Sequence, residues 1–206
     1  MDIIAIPLFN TPLFETKLNL DTSHLTEVAR NVKYERMGVD NGWYSEDKYI
    51  LDIPEFSELK NEIMKRMNFI MYEFLHTKKS YEFYMTNSWT VKHDRGDWGQ
   101  THVHTNCIFS GVYYIKTDEN SGRIIFRKSP DRMTLFPLSC DLEFDDFNIF
   151  NSKVWTYQPS NNLLLLFPPY LQHSIEESAS DERYSVAFNF FVRGNIGSKE
   201  FELELK

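Results

Sequence analysis

The chain has 206 residues, with 22 Lys and Arg against 30 Asp and Glu, for a formal net charge of −8. That length suits one large domain with a real core, and the acidic balance argues against a protein that grips nucleic acid by neutralising phosphates. Two cysteines, Cys107 and Cys140, do not make a disulfide framework and read as reduced thiols. The first residues lack the basic and apolar blocks of a signal peptide. The longest apolar run, Leu163–Phe167, is far short of a membrane span. A soluble, cytoplasmic protein with no membrane partner is therefore expected. The 17 Phe, 11 Tyr and 4 Trp suit a β-sandwich or barrel.

In chain order, residues 2–20 are short apolar bursts broken by Pro7 and Pro12, which read as one or two edge strands. Asp21-Thr22-Ser23 can cap a helix over 21–33, with Leu25, Val28 and Ala29 on one face. Residues 34–53, with Gly38, Asn41-Gly42 and Trp43, read as loop. Over 54–78, Phe56, Leu59, Ile63, Met67, Ile70 and Phe74 recur at three- and four-residue steps. That spacing predicts an amphipathic helix packed on a sheet, with Pro54 in its first turn. After residue 80 the texture changes to strands: Tyr81–Lys92, Cys107–Lys116, Arg123–Arg127, Val154–Gln158, Leu163–Phe167 and Tyr184–Arg193. Turn signals at Arg95-Gly96-Asp97, Asn120-Ser121-Gly122 and Pro159–Asn162 separate them. Helices first and strands later predict a mainly β (α+β) chain with a helical buttress. One domain is expected over 1–206, with the buttress over about 1–80 and the β core over about 81–195. Residues 129–152 are the hardest to read. Asp141, Glu143, Asp145 and Asp146 could ligate calcium, but the spacing lacks the glycine and final glutamate of a calcium loop. A solvated acidic loop is the simpler reading.

The chemistry-bearing pattern is Thr101-His102-Val103-His104-Thr105-Asn106. Alternate residues of a strand point to one face, so His102 and His104 can aim at one spot. Two histidines alone are a short signal. His173 strengthens it, because it follows the apolar Leu163–Phe167 strand and a Pro168-Pro169 break. Imidazoles at the strand ends of one barrel make a facial set with open positions, suited to non-haem Fe(II) and oxygen chemistry. Arg183 leads the apolar run Tyr184–Val192 and shares a face with Ser185 by the period of two. A guanidinium fork with a hydroxyl beside it can clamp a carboxylate; the competing reading is a structural ion pair. His93 lies an odd number of residues from His102 and points to the other face if the strand continues past Gly96.

These segments carry a resemblance. Leu8–Leu13, Gly42-Trp43-Tyr44-Ser45, Asn87-Ser88-Trp89, His102–Ile115, Leu164–His173 and Arg183-Tyr184-Ser185 together resemble the Fe(II)/2-oxoglutarate-dependent oxygenase superfamily. Within it the chain is similar to the uncharacterised oxygenase group of bacteria and marine phages. The resemblance implies a double-stranded β-helix (jelly roll) with N-terminal buttressing helices. It also implies Fe(II) as metal, 2-oxoglutarate as co-substrate and O2 as oxidant. His102 then fills the first ligand place and His173 the distal one. Arg183 and Ser185 fill the pair that binds the far carboxylate of 2-oxoglutarate, and Tyr114 the place of a tyrosine that contacts it, unless its ring is only core-facing. The implied outcome is hydroxylation of a small molecule or peptide. Trp89 and Asn106 are candidates for the substrate side, and the loops 34–53 and 129–152 for its opening. The other class considered is a cupin-like barrel that binds metal or ligand without turnover, in which an Arg-x-Ser clamp has no purpose.

One position departs from the superfamily's His-x-Asp/Glu pattern: His104 stands where the carboxylate should be. Three readings follow. His104 ligates, giving a three-histidine face; or it turns away and leaves the place to water or an anion; or the frame shifts, with His104 first and Asn106 replacing the carboxylate. The first is favoured by the i, i+2 spacing. Asp94 and Asp97 are upstream carboxylates that could swing in.

Overall fold

The computed structural model describes residues 3–8, 10–128, 142–198 and 200–206; Cys140 and Asp141 lie outside them. The strands in chain order are β1 (Phe14–Lys17), β2 (Tyr34–Arg36), β3 (Trp43–Ser45), β4 (Glu82–His93), β5 (Gly99–His102) and β6 (Phe109–Lys116). They continue as β7 (Ile124–Arg127), β8 (Val154–Tyr157), β9 (Leu163–Phe167), β10 (Gln172–Ile175), β11 (Arg183–Ile196) and β12 (Leu203–Leu205). The helices are α1 (Thr22–Arg30) and α2 (Ser57–Asn68). Asp21 caps α1 as expected, its carboxylate accepting from the amides of Ser23 and His24.

The strands form two antiparallel sheets. The major one runs β1-β9-β6-β11-β4-β3-β2, with β12 beside β11, and the minor one runs β5-β10-β7-β8. Alternation assigns the two faces of the major sheet. Tyr113, Ile115, Leu164, Leu166, Val186, Phe188 and Phe190 share a core with Leu25, Ala29, Leu59, Ile63 and Met67 of the helices. Val112, Tyr114, Leu163, Leu165 and Phe167 share a second core with Ile124 and Phe126 of the minor sheet. β9 is covered on both faces, which is why all five of its residues are apolar and buried. This is the double-stranded β-helix with buttressing helices.

The structure corrects three expectations. Residues 34–53 are not all loop: β2 and β3 extend the major sheet, with Trp43 opposite Lys92. The helix over 54–78 is not one α-helix. It opens with a 3-10 turn at Pro54–Phe56, and after α2 widens into a π-helix at Phe69–Phe74, where the Leu75 amide donates to the Ile70 carbonyl five residues back. The wider turn rotates the stripe. Met71 becomes buried, and Phe74 is left 59% exposed with its ring edge-on to Phe14. Finally, β10 was not foreseen, and the strand expected to carry both His102 and His104, β5, ends at His102. Among the described residues no helix is long and apolar enough to cross a membrane.

Candidate active site

β5 and β10 are neighbours in the minor sheet, and their register sets His102 opposite His173. Opposed residues of an antiparallel pair stand close enough for their side chains to touch, and the two imidazole centres are 4.3 Å apart. His104 arrives differently. The strand ends at His102, and the His104 amide then donates to the Pro169 carbonyl at 3.0 Å, tying this segment to the turn before β10. Its ring centre is 5.4 Å from that of His102 and 5.2 Å from that of His173. One ring nitrogen of each histidine lies within 4.8 Å of the other two. Among the described residues no other group of three His, Cys, Asp or Glu side chains is so arranged.

Each Nδ1 is already engaged. His102 Nδ1 meets the Gln100 carbonyl at 2.7 Å, His173 Nδ1 the Leu171 carbonyl at 2.8 Å, and His104 Nδ1 the amide oxygen of Asn189 at 2.6 Å. Carbonyl oxygens only accept, so each Nδ1 carries a proton and each Nε2 keeps its lone pair for a metal. Asn189 is itself fixed: its Nδ2 donates to Asn87 Oδ1 at 2.9 Å, while its Oδ1 also accepts from the Ser110 hydroxyl at 2.8 Å. Burial pushes His173 down to about 3, with His102 acting in the same direction. Burial also holds His104 below the usual imidazole range, against the pull of Asn189. Both rings are neutral at physiological pH, the form that ligates.

Arg183 opens β11 and its side chain is fully buried. Among the described residues no Asp or Glu pairs with it. Its Nη1 donates to His93 Nδ1 at 2.8 Å, and its Nε and Nη2 have no partner. The buried Tyr114 hydroxyl is also unpartnered, and the guanidinium carbon lies 5.2 Å from the Tyr114 ring centre. Burial raises the Tyr114 phenol above its ordinary range against the pull of the adjacent Arg183, which lies near its hydroxyl without a hydrogen bond of ordinary geometry, and so keeps it a donor. Ser185 is buried too, and its β6 partner is Tyr114. Two unpaired arms of a buried cation and one unpaired phenol lie together with no counter-charge, an arrangement that costs several kcal/mol unless an anion completes it.

Residues 87–189 match the family described as "Putative 2OG-Fe(II) oxygenase". The chain belongs to that family. Solved structures of 2OG-Fe(II) oxygenases share the fold. A Pseudomonas putida prolyl-4-hydroxylase is 13% identical at TM-score 0.57, over 91% of this chain and 96% of that one. HygX from Streptomyces hygroscopicus, with nickel, 2-oxoglutarate and hygromycin B bound, is 9% identical at TM-score 0.58, over 88% and 83%. The alpha-ketoglutarate-dependent epimerase SnoN from nogalamycin biosynthesis is 11% identical at TM-score 0.63, over 88% and 76%. No curated protein matches the chain.

The residues present fit the metal and co-substrate of a 2OG-Fe(II) oxygenase. Three imidazoles with free Nε2 atoms suit Fe(II), and the orphaned donors of Arg183 and Tyr114 suit a carboxylate. The two upstream carboxylates that could have swung in are committed elsewhere. Asp97 is buried against Arg36 at 2.7 Å, and Asp94 pairs with Lys92 at 3.1 Å. β4 does not continue past the Gly96 turn (φ +87), so the face argument for His93 lapses; the ring sits beside Arg183, away from the three histidines. A cleft of about 510 Å³ opens on His102 and His104, lined by Trp89, Asn87, Asn106 and Tyr49. Trp89 stacks beside His104 with ring centres 6.0 Å apart, and Asn106 takes the left-handed conformation (φ +57) that asparagine tolerates.

Sequence reasoning missed Asn189 and the part His93 plays. Asn189 had a usable signal: it lies at an even step from Arg183 and Ser185, a polar residue on the inner face of an apolar strand. His93 had none, because its contact depends on β4 pairing in register with β11.

Proposed function

We propose that this oxygenase is a hydroxylase whose iron is held by His102, His104 and His173. Its 2-oxoglutarate has the far carboxylate on Arg183, Ser185 and Tyr114. When bound, iron and co-substrate supply the oxidative chemistry, in which 2-oxoglutarate becomes succinate and carbon dioxide while oxygen passes to a substrate carbon. The chain's own residues hold and orient. Gln100, Leu171 and Asn189 fix the ring tautomers. Arg183 supplies charge and a planar fork in a dry site, where such contacts are strongest. The substrate, a small molecule or a peptide segment, enters the cleft beside Trp89 and Asn106. Those walls offer amide and aromatic contacts, which suit an uncharged, hydrogen-bonding group.

The observation that carries this reading is the uncompensated Arg183 guanidinium. A barrel that merely binds metal explains three histidines but leaves that buried charge without purpose. For His104, the Asn189 amide supports ligation over turning away. Its oxygen is placed to accept a hydrogen bond, for which an imidazole at 104 has an N–H and an ionised carboxylate has none. The test is Arg183→Met in the anaerobic Fe(II) protein. Affinity for 2-oxoglutarate should fall by about 30-fold or more while Fe(II) affinity is kept. Equal loss of both would instead mark Arg183 as a folding residue.

A further inference from the structure

Arg183 is not wholly without partners, and the one it has is unusual. The residue opposite it across β4 and β11 is His93, whose ring is buried and accepts from Nη1 at 2.8 Å. An acidic side chain would be the ordinary partner for a buried guanidinium, and it would cancel the charge. Imidazole gives an acceptor without giving a charge, provided it stays unprotonated. Burial, with Arg183 beside it, keeps it so by lowering His93 to about 3. The nearby Arg36 pushes the same way and is itself committed to Asp97. The ring is also held sterically. Gly42 (φ +76) packs so closely that a Cβ there would stand 2.7 Å from His93 Cδ2 and 2.8 Å from Nε2. Glycine is thus needed at 42 both for its backbone and for the ring.

We propose that His93 is a positioning residue for 2-oxoglutarate. It holds one arm of the Arg183 fork, leaves Nε and Nη2 aimed at the incoming carboxylate, and preserves the full positive charge for that carboxylate to neutralise. The proposal rests on the assignment of Arg183 to the co-substrate.

Two nearly isosteric variants separate charge from shape. In His93→Asn the amide oxygen can stand where Nδ1 stood; in His93→Asp the same atom is anionic. Calorimetric titration of 2-oxoglutarate into the anaerobic Fe(II) protein should find His93→Asn within about threefold of the parent and His93→Asp weaker by about 30-fold or more. Fe(II) affinity should be unchanged in both, and thermal stability of the Asp variant no lower than that of the Asn variant. A packing role predicts no such split. If His93→Asp binds 2-oxoglutarate as well as His93→Asn does, or if both lose affinity equally, the proposal is overturned. Arg183→Met serves as the reference. Should it bind 2-oxoglutarate normally, the assignment of Arg183 fails and takes the proposal with it. Should it lose binding while His93→Asp does not, only the role of His93 fails.

Discussion

At position 104 an imidazole stands where the superfamily usually has a carboxylate, and the proposed ligation gives the Asn189 amide behind it a purpose. Asn189 donates its Nδ2 to Asn87 and accepts from the Ser110 hydroxyl at its Oδ1, and that oxygen faces His104. Groups that hold the far nitrogen of a ligating histidine usually matter to metal affinity nearly as much as the ligand does. Asn189→Leu should therefore weaken Fe(II) or Co(II) binding by about tenfold or more, measured by competition with a metal indicator. An unchanged affinity would mean that His104 does not ligate, or does so without help from the amide.

At the level of elements, β11 organises the site. Its inner face carries Arg183 and Ser185 at one end and Asn189 further along, while Tyr184, Val186, Phe188 and Phe190 pack on the helix side. The strand sits between β6 and β4, so little space separates it from its neighbours. At Gly111, which faces Phe188 across β6 and β11, an added Cβ would stand 2.5 Å from the Phe188 ring and 2.8 Å from the Leu165 carbonyl. Gly111→Ala should cost about 1–3 kcal/mol of stability in a urea unfolding curve; no loss would show that the sheet yields there at no cost. The same elements show what the sequence makes legible. Strands covered on both faces are continuous apolar runs, and β6, β9 and β11 stand out for that reason. β5 and β10, Gly99–His102 and Gln172–Ile175, which carry two of the three candidate ligands, are short and polar, and propensity passes over them. His102 and His173 were readable as residues before their strands were readable as strands. Arg183 and Ser185 could be placed on one face by alternation alone. Their surroundings could not, since His93 and Asn189 reach them through long-range register.

Across the whole molecule, the two sheets hold a neutral histidine in each of two buried places, His93 and His173, both lowered to about 3. Unfolded, each would titrate near the ordinary value of about 6.5. Below that pH the unfolded chain binds up to two more protons at these rings than the folded one, and the buried His104 adds in the same direction. Stability is then lost as pH falls, by up to about 2.7 kcal/mol per pH unit, and is level above about pH 7. The metal-free protein should show its melting temperature dropping between pH 6.5 and 4.5 by this proton uptake; a flat or rising profile across that interval would mean that neither ring is held neutral. On the proposed assignment, the fold presents a metal face from β5 and β10 of the minor sheet and an uncompensated cation from β11 of the major one. That juxtaposition is tested most directly by adding Fe(II) to the anaerobic protein with and without 2-oxoglutarate and recording the visible spectrum. A weak charge-transfer band is expected that appears only when both are present, saturates at one iron per chain and is lost in Arg183→Met. No band with both present, or a band indifferent to 2-oxoglutarate, would contradict it.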